Sequence, residues 1–435
     1  MLAPIIIAVI VSVAMIASVL FFPKLKAGKA QFSTYWMIAL LGAALIVACS
    51  SAEWKKIGEA FLADREVNPL KILVLFLSMT VLSVFLDELG FFKKLAYLAL
   101  KRNKRGQKGL FFGVYALVSL LTVFTSNDVI ILSFTPFLCY FAKNAKIDPV
   151  PYLAVEFVAA NTWSMALIIG NPTNIYLAAS AGIGFGTYLQ YSLFPAVFGG
   201  AASLIALYLL FRKKLNRPVC CEAEEVTVKD KFLLWAGIAH LIVATVLLAI
   251  GSYIGLQMWL ASLACACSLV VFVLISSAVR RKKPKQLGAS FLRLPYEMIP
   301  FMLSMFTIVI VLDDVGVTQA IGSFLGSDLP ILKYGTLSFL SANLINNIPM
   351  SVLFSSVIEA GGAAGITAVF ATIIGSNVGA FLTPVGALAG IMFSSIVNRN
   401  GVKFGFADFI KTGAVVSVPT LFASLGGLWL AAAIF

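Results

Sequence analysis

Ala160 to Ile175 reads ANTWSMALIIGNPTNI. It lies in the middle of an apolar run, about 150–182, that is longer than the roughly 20 residues one simple membrane helix needs. The interruptions are polar or helix-breaking and come close together: Asn161, Thr162 and Ser164, then Gly170, Asn171, Pro172, Thr173 and Asn174. Proline lacks a backbone donor and glycine favours non-helical backbone, so the run reads as a span whose helix is broken halfway. Non-helical backbone cannot face lipid, because an unpaired N–H or C=O in hydrocarbon costs several kcal/mol. The break must therefore line protein or a water-filled cavity. A second run of this kind, about 363–397, carries Gly375-Ser376-Asn377-Val378-Gly379 and then Thr383-Pro384-Val385-Gly386.

Two further apolar stretches have a polar centre. The first, about 109–143, is interrupted by Thr125-Ser126-Asn127-Asp128; the second, about 331–358, by Asn343 and Asn346-Asn347-Ile348-Pro349-Met350-Ser351. Each reads as a re-entrant hairpin of two half-helices. Simple spans are expected at about 2–22, 32–50, 69–90, 187–211, 232–252, 256–279, 296–316 and 411–434. The fold class is then an all-α polytopic membrane protein with about ten crossings, two re-entrant hairpins and two broken helices. Residues 1–22 lack a basic start and a small-residue cleavage site, so they read as a retained span rather than a signal peptide.

Composition agrees with this and excludes other classes. Of 435 residues, 60% are hydrophobic and 12% charged, about half the charged share of a soluble domain. The net charge of +13 sits in short clusters between apolar runs, as topology signals do, so no nucleic-acid partner is expected. The clusters are Lys24/Lys26/Lys29, Lys93 to Lys108, Lys143/Lys146, Arg212 to Arg217, Arg280 to Lys285, and Arg399/Lys403. With all of them cytoplasmic, the crossings alternate without conflict, and the loops 181–186 and 317–329 carry no Lys or Arg. The 51–68 segment, with Trp54 and alternating charges, reads as a surface-lying helix. The single histidine, His240, excludes His-based zinc chemistry, and the pair Cys220-Cys221 sits in a charged loop. No enzyme activity, metal or cofactor is expected.

Three local matches recur in the same order, at offsets between 216 and 226 residues. Phe85 to Gly90 (FLDELG) matches Val311 to Gly316 (VLDDVG), Asn127-Asp128 matches Asn346-Asn347, and Asn161 with Gly170 matches Asn377 with Gly386. The first LDELG is followed by basic residues and ends inside. The second, LDDVG, is followed by a loop without them and ends outside. The chain therefore reads as two inverted repeats of five span-equivalents each, residues 1–215 and 232–435, joined by a cytoplasmic linker at 216–231. Inverted repeats with broken helices mark secondary transporters, with the site near the bilayer midplane at the breaks; an ion channel needs no such repeat.

The candidate substrate or ion ligands are the polar residues of the breaks and tips: Ser126, Asn127, Asp128, Asn161, Thr162, Ser164, Asn171, Thr173, Asn346, Asn347, Ser376, Asn377 and Thr383. Gly170, Pro172, Pro349, Gly375, Gly379, Pro384 and Gly386 are the candidate hinge and break positions. Asp128 and Glu156 are candidates for proton coupling, since an ionisable group inside a membrane is a functional hypothesis by default. Asp87, Glu88, Asp313 and Asp314 sit at span ends, where an interfacial or capping role is expected. Half-helix N-termini favour oxygen-rich or anionic cargo; freed carbonyls and Asn oxygens favour Na⁺.

These motifs carry a resemblance. LDELGFF (Leu86 to Phe92), Ser126-Asn127-Asp128, ANTWSMALIIGNPTNI, Asn346-Asn347-Ile348-Pro349, Thr383-Pro384-Val385-Gly386 and Lys411-Thr412-Gly413 resemble the ion transporter superfamily. It includes ArsB-type arsenite permeases, NhaD-type Na⁺/H⁺ antiporters, and citrate and dicarboxylate carriers. LDELGFF and the Asn-Asp tip are most similar to the arsenite branch, whereas GNPTN is similar to a pattern shared with the antiporters and carboxylate carriers. The resemblance implies a multi-pass protein of the prokaryotic cytoplasmic membrane, surrounded by lipid, that moves a small inorganic or carboxylate substrate. On the arsenite branch it implies efflux of As(OH)₃ or Sb(OH)₃ in exchange for H⁺; Na⁺ is the other coupling ion. It further implies a homodimer and an elevator-like movement. No Walker motif is present, so any ATP drive would come from a separate soluble ATPase subunit.

Overall fold

A computed structural model describes residues 2–22, 24–27, 30–49, 54–62, 68–92, 94, 95, 97, 106–216, 227–362 and 365–435. Lys29, Lys93, the basic residues from Lys101 to Arg105, Cys220-Cys221 and most of the expected linker lie outside the described residues.

The first helices are α1 (Leu2–Phe21), α2 (Thr34–Cys49), α3 (Trp54–Leu62) and α4 (Pro69–Glu88). Asn68 caps α4, its Oδ1 accepting from the Leu70 amide at 2.7 Å, with Pro69 at the position where the missing N–H does no harm. Next come α5 (Gly106–Phe124), α6 (Asn127–Asn144), α7 (Val150–Trp163), α8 (Pro172–Ser180) and α9 (Phe185–Phe211). The second part of the chain holds α10 (Lys231–Ile254), α11 (Met258–Val279), α12 (Lys285–Leu292), α13 (Met298–Asp314) and α14 (Val317–Leu325). It ends with α15 (Pro330–Ile345), α16 (Asn347–Ala360), α17 (Gly365–Gly379), α18 (Leu388–Arg399) and α19 (Phe406–Ile434).

Among the described residues, α4, α5, α9, α10, α11 and α19 are each long and apolar enough to cross a bilayer, and α13 with α14 forms a further pair bent by 72°. The polar centres fall between helices: Thr125-Ser126 separates α5 from α6, and Asn346 separates α15 from α16. The 150–182 run is α7, two 3-10 turns at Ser164–Ala166 and Ile168–Gly170, and α8. The 363–397 run is α17, a stretch of turns over 380–387, and α18.

The all-helical expectation needs one correction. Between α1 and α2, β1 (Lys24–Ala27) and β2 (Ala30–Ser33) pair antiparallel, with Lys24 opposite Ser33 and Ala27 opposite Ala30. Strands of four residues are too short to show a period-2 pattern, and the lysines read as a topology signal instead. The Ser33 amide donates to Glu297 Oε1 at 3.0 Å, which ties the hairpin to the start of α13.

Two packed groups result. In one, α1 lies on α2, α2 on α13, α10 on α11, and both α10 and α11 on α4. In the other, α9 lies along α19, α15 on α17, α5 on α7, α6 on α18, and α16 on α8. The two groups meet chiefly where α13 runs against α16. Gly375, expected at a break, lies inside α17 instead. A Cβ there would stand 2.6 Å from the Gly335 carbonyl oxygen and 2.7 Å from the Phe339 amide, so this glycine permits the close crossing of α17 over α15. Gly379 is the last residue of α17, and its Cβ would meet the Phe339 carbonyl at 2.8 Å.

Overpacking that crossing is expected to cost about 1–3 kcal/mol. Gly375→Val therefore lowers the thermal midpoint of the detergent-purified protein. Gly58→Ala on α3, where nothing lies within 4 Å of the new Cβ, leaves the midpoint in place. Equal midpoints for wild type and Gly375→Val would show that α15 and α17 do not cross this closely.

Candidate functional site

The unwound segment after α7 frees a run of backbone carbonyls, and those of residues 164–167 find side-chain or turn partners. Ser164 O accepts from Asn174 Nδ2 at 2.8 Å, Met165 O from the Tyr188 hydroxyl at 3.0 Å, and Ala166 O from the Ser192 hydroxyl at 2.9 Å. Leu167 O accepts from the Gly170 amide at 3.1 Å. Gly170 is needed here because any Cβ would collide with the Ser164 backbone. Asn171 then caps α8, accepting from the Thr173 amide at 3.2 Å, with Pro172 in the first turn. Trp163 closes α7: its indole nitrogen donates to Tyr115 on α5 at 3.1 Å, and Tyr115 donates to Gly200 O on α9 at 2.6 Å.

The second break is satisfied differently, by the tip of the facing hairpin. Asn346 Nδ2 donates to Val385 O at 3.0 Å, and the Asn347 amide to Gly386 O at 3.0 Å. Asn346 adopts φ 72° with ψ 151°, a positive-φ conformation outside the left-handed helical basin and one that glycine ordinarily occupies. Asn343 Oδ1 accepts from the Thr383 amide at 3.1 Å and from the Thr383 hydroxyl at 2.7 Å. Gly386 has no room for a side chain, since a Cβ would stand 2.6 Å from Gly379 O and 2.8 Å from Asn343 Oδ1. Pro349 sits in the first turn of α16, and Pro384 in the turn before Gly386.

The structure brings several sequence candidates together. Asn127 Nδ2 at the first tip donates to Asn161 Oδ1 on α7 at 2.9 Å. Ser164, Asn171 and Asn174 of the first break all bond the Asn377 amide of α17, at 2.7, 3.0 and 2.7 Å. Ser376 donates to Thr173 at 3.0 Å. Asn346, Asn347 and Thr383 do not join that cluster; their bonds stay within the second tip and second break. Ser126 lies 3.5 Å from Asn127 Oδ1 and is half-buried. Asn343 and Asn174 belong to the quoted motifs, but their roles as backbone caps could not be read from spacing.

A second set of candidates is buried with polar atoms left unpartnered among the described residues. Among the described residues no hydrogen bond or ion pair reaches the Asp128 carboxylate, 6% exposed, or the Asn347 side chain, 3% exposed, whose Oδ1 is fully enclosed. Asp128 and Asn347 are the two second residues of the matched tip motifs. Thr162 Oγ1 is also enclosed and unpartnered. Glu156, completely buried on α7, accepts from the Thr135 hydroxyl at 3.0 Å through Oε1, while Oε2 has no partner. Thr135 was not anticipated, because nothing in its surroundings distinguishes it from an ordinary helix residue. Among the described residues the buried charged side chains are Asp87, Asp128 and Glu156; none is Lys or Arg. No group of three or more His, Cys, Asp or Glu that could hold a metal is found among them.

The acidic span ends are engaged by charged or hydroxyl partners. Arg293, just after α12, pairs with Asp87 at 2.7 Å and Glu88 at 2.6 Å, while Lys56 of α3 pairs with Asp314 at 3.0 Å. Asp313 accepts from the Thr318 hydroxyl of α14.

The model of the CitMHS citrate transporter family matches residues 32–375 of the chain. The arsenical pump membrane protein of Escherichia coli strain K12 is 26% identical over 374 residues, covering 81% of this chain and 84% of its own. The same-named protein of Yersinia enterocolitica is 26% identical over 375 residues, with the same coverage. The putative arsenical pump membrane protein of Bacillus subtilis strain 168 is 22% identical over 425 residues, covering 90% and 93%. Among solved structures, the YdaH transporter of Alcanivorax borkumensis superposes with a TM-score of 0.57 at 14% identity, covering 99% of this chain and 98% of that one.

Removing a cap from a break leaves a backbone donor without its partner, which costs about 1–3 kcal/mol. Asn343→Ala, which strands the Thr383 amide, is expected to lower the unfolding midpoint in detergent by more than Asn343→Asp, which keeps an acceptor oxygen in place. The reverse order would mean that Asn343 does not hold the second break.

Proposed function

Because the chain belongs to the citrate transporter family, we propose that it is a secondary active transporter of a prokaryotic cytoplasmic membrane that exports arsenite and antimonite in exchange for protons. The transporter class follows from the family; the cargo, direction and coupling ion are this proposal. The observation that carries it is that the side chains at the two tips, Asp128 and Asn347, have no partner among the described residues, with no Lys or Arg among the described buried side chains. As(OH)₃ and Sb(OH)₃ are neutral near pH 7 and present three hydroxyls. A carboxylate can accept from such hydroxyls, and an amide can donate to or accept from them. A citrate anion would bring negative charge beside Asp128 and Glu156, and burying charge without a compensating partner is strongly unfavourable. Cysteine is absent from the breaks and tips, which suits a carrier that has to release a thiol-seeking metalloid. Asp128 and Glu156 are the proposed proton carriers.

Helix packing supports the two-repeat plan of 1–215 and 232–435. The pair α1 and α2 has its counterpart in α10 and α11, and α2 on α13 in α11 on α4. Likewise α5 on α7 answers to α15 on α17, and α6 on α18 to α16 on α8. The ion pairs follow suit: Lys56 of the first part holds Asp314 of the second, and Arg293 of the second holds Asp87 of the first. With the basic clusters inside, the halves are inverted, and 109–143 and 331–358 enter from opposite faces. The grouping of helices suits an elevator-like movement of the second group against the first, within a homodimer and a shell of lipid.

Expression in a metalloid-sensitive bacterium, challenged in parallel with arsenite, antimonite, Na⁺ and Li⁺, tests the cargo; everted vesicles add citrate uptake. Protection against the two metalloids, with saturable uptake that a protonophore abolishes, is the expected result. Protection against Na⁺ and Li⁺ alone would make it a Na⁺/H⁺ antiporter, citrate uptake alone a citrate or dicarboxylate carrier, and ohmic current a channel. Asp128→Asn and Asn347→Ala are each expected to reduce arsenite flux about tenfold or more, the effect of losing one or two hydrogen bonds to cargo, at unchanged protein level in the membrane. Wild-type flux in both would remove the tips from the site.

A further inference from the structure

Asn377 lies on α17 with no exposed surface, facing the unwound segment of the first broken helix. A side-chain amide has two N–H donors and an oxygen with two lone pairs. All four positions of Asn377 are occupied. Nδ2 donates to Asn174 Oδ1 at 2.7 Å and to Ile373 O at 2.8 Å. Oδ1 accepts from Asn171 Nδ2 at 3.0 Å and from the Ser164 hydroxyl at 2.7 Å, whose single proton is shared with Asn161 O, also at 2.7 Å. Only the Ile373 bond stays within α17. The other three come from the 3-10 turn, the cap of α8 and the first turn of α8. Ser376, one residue before, adds a bond to Thr173 of α8 at 3.0 Å.

Asn161, the matched position in the other half, is placed otherwise. It repeats the bond to its own helix, Nδ2 to Phe157 O at 2.8 Å, but beyond that receives only Asn127 Nδ2 at 2.9 Å. One donor and one lone pair of Asn161 remain unused, and among the described residues the side chains of Asp128 and Asn347 have no partners. The amide at position 377 is the one with nothing left to offer a ligand.

We propose that Asn377 is a positioning residue: a saturated hydrogen-bonding node that joins the unwound segment of the first broken helix to the second broken helix, so that the two breaks move as one rigid body, and that it does not touch cargo. The proposal rests on the reading of this region as the transport site and divides it into residues that hold the scaffold and residues left open for cargo.

The test uses the full chain in native membranes, with its own cysteines replaced and new ones at Thr173→Cys and Ser376→Cys. Its first readout needs no cargo. Oxidation to the disulfide is expected to be rapid with Asn377 intact and at least about fivefold slower with Asn377→Ala, the scale of a lost hydrogen bond. Asn377→Asp keeps the oxygen that serves Ser164 and Asn171 and loses the donor to Asn174, so it falls between; it also carries the test should the alanine variant fail to insert. Equal rates in all three overturn the node. The second readout is arsenite uptake into everted vesicles. The oxidised pair is expected to keep at least about half the rate of the reduced pair, and Asn377→Asp to lower maximal rate several-fold with KM within about twofold, as expected of a residue that contributes no ground-state binding. Arrest of transport by the disulfide, or a raised KM at unchanged maximal rate, overturns the proposal. Absence of arsenite uptake by the unmodified protein overturns the cargo assignment alone, and the disulfide rates still decide the node.

Discussion

Two stretches of backbone in the apolar interior have left the helix, and the polar groups they free have to be paired inside the protein, because hydrocarbon offers none. That requirement explains several of the polar residues in the core. In the first break the carbonyls of Ser164, Met165 and Ala166 are each met by a side chain from α8 or α9. In the second, Val385 and Gly386 are met by the tip between α15 and α16. The same need for pairing makes glycine necessary at 170 and 386, where a side chain would occupy the space that closes each turn.

The two breaks meet the demand in different ways. The first is held by α8, α9 and α17, and its tip, at Asn127-Asp128, keeps a buried carboxylate with no partner among the described residues. The second is held by its hairpin tip, through the Asn346 side chain and the Asn347 backbone amide, while the Asn347 side chain has no partner among the described residues. One tip thus presents a carboxylate and the other an amide. Among the described residues no buried cation balances them, which is why a neutral hydroxide with protons as counter-substrate fits the proposed site better than a carboxylate anion.

At the ends of α4 and α13 the constraint is charge rather than backbone. Asp87 is almost fully buried, and Arg293 supplies the opposite charge from the far part of the chain; Lys56 and Asp314 form the more exposed equivalent. These pairs bind a short amphipathic helix of one part to a long helix of the other. They sit in the packed group that carries none of the breaks, as the frame of the proposed elevator-like movement would.

Much of this was legible in the sequence. Runs of apolar residues gave the long helices almost to their ends, and Asn, Gly and Pro marked both breaks and both tips, because few other residues leave a helix at low cost. The four-residue strands at 24–33 were not legible, since so short a segment has no measurable period. Gly375 was misplaced for a related reason: a glycine that lets two helices touch and one that ends a helix look the same in sequence. Above all, the sequence named the amides without saying which were engaged. Whether Asn377 is saturated or Asn347 is free depends on which atoms lie within about 3 Å. Those neighbours come from segments some 200 residues away, and local pattern carries no information about contacts at that separation; only the folded chain decides them.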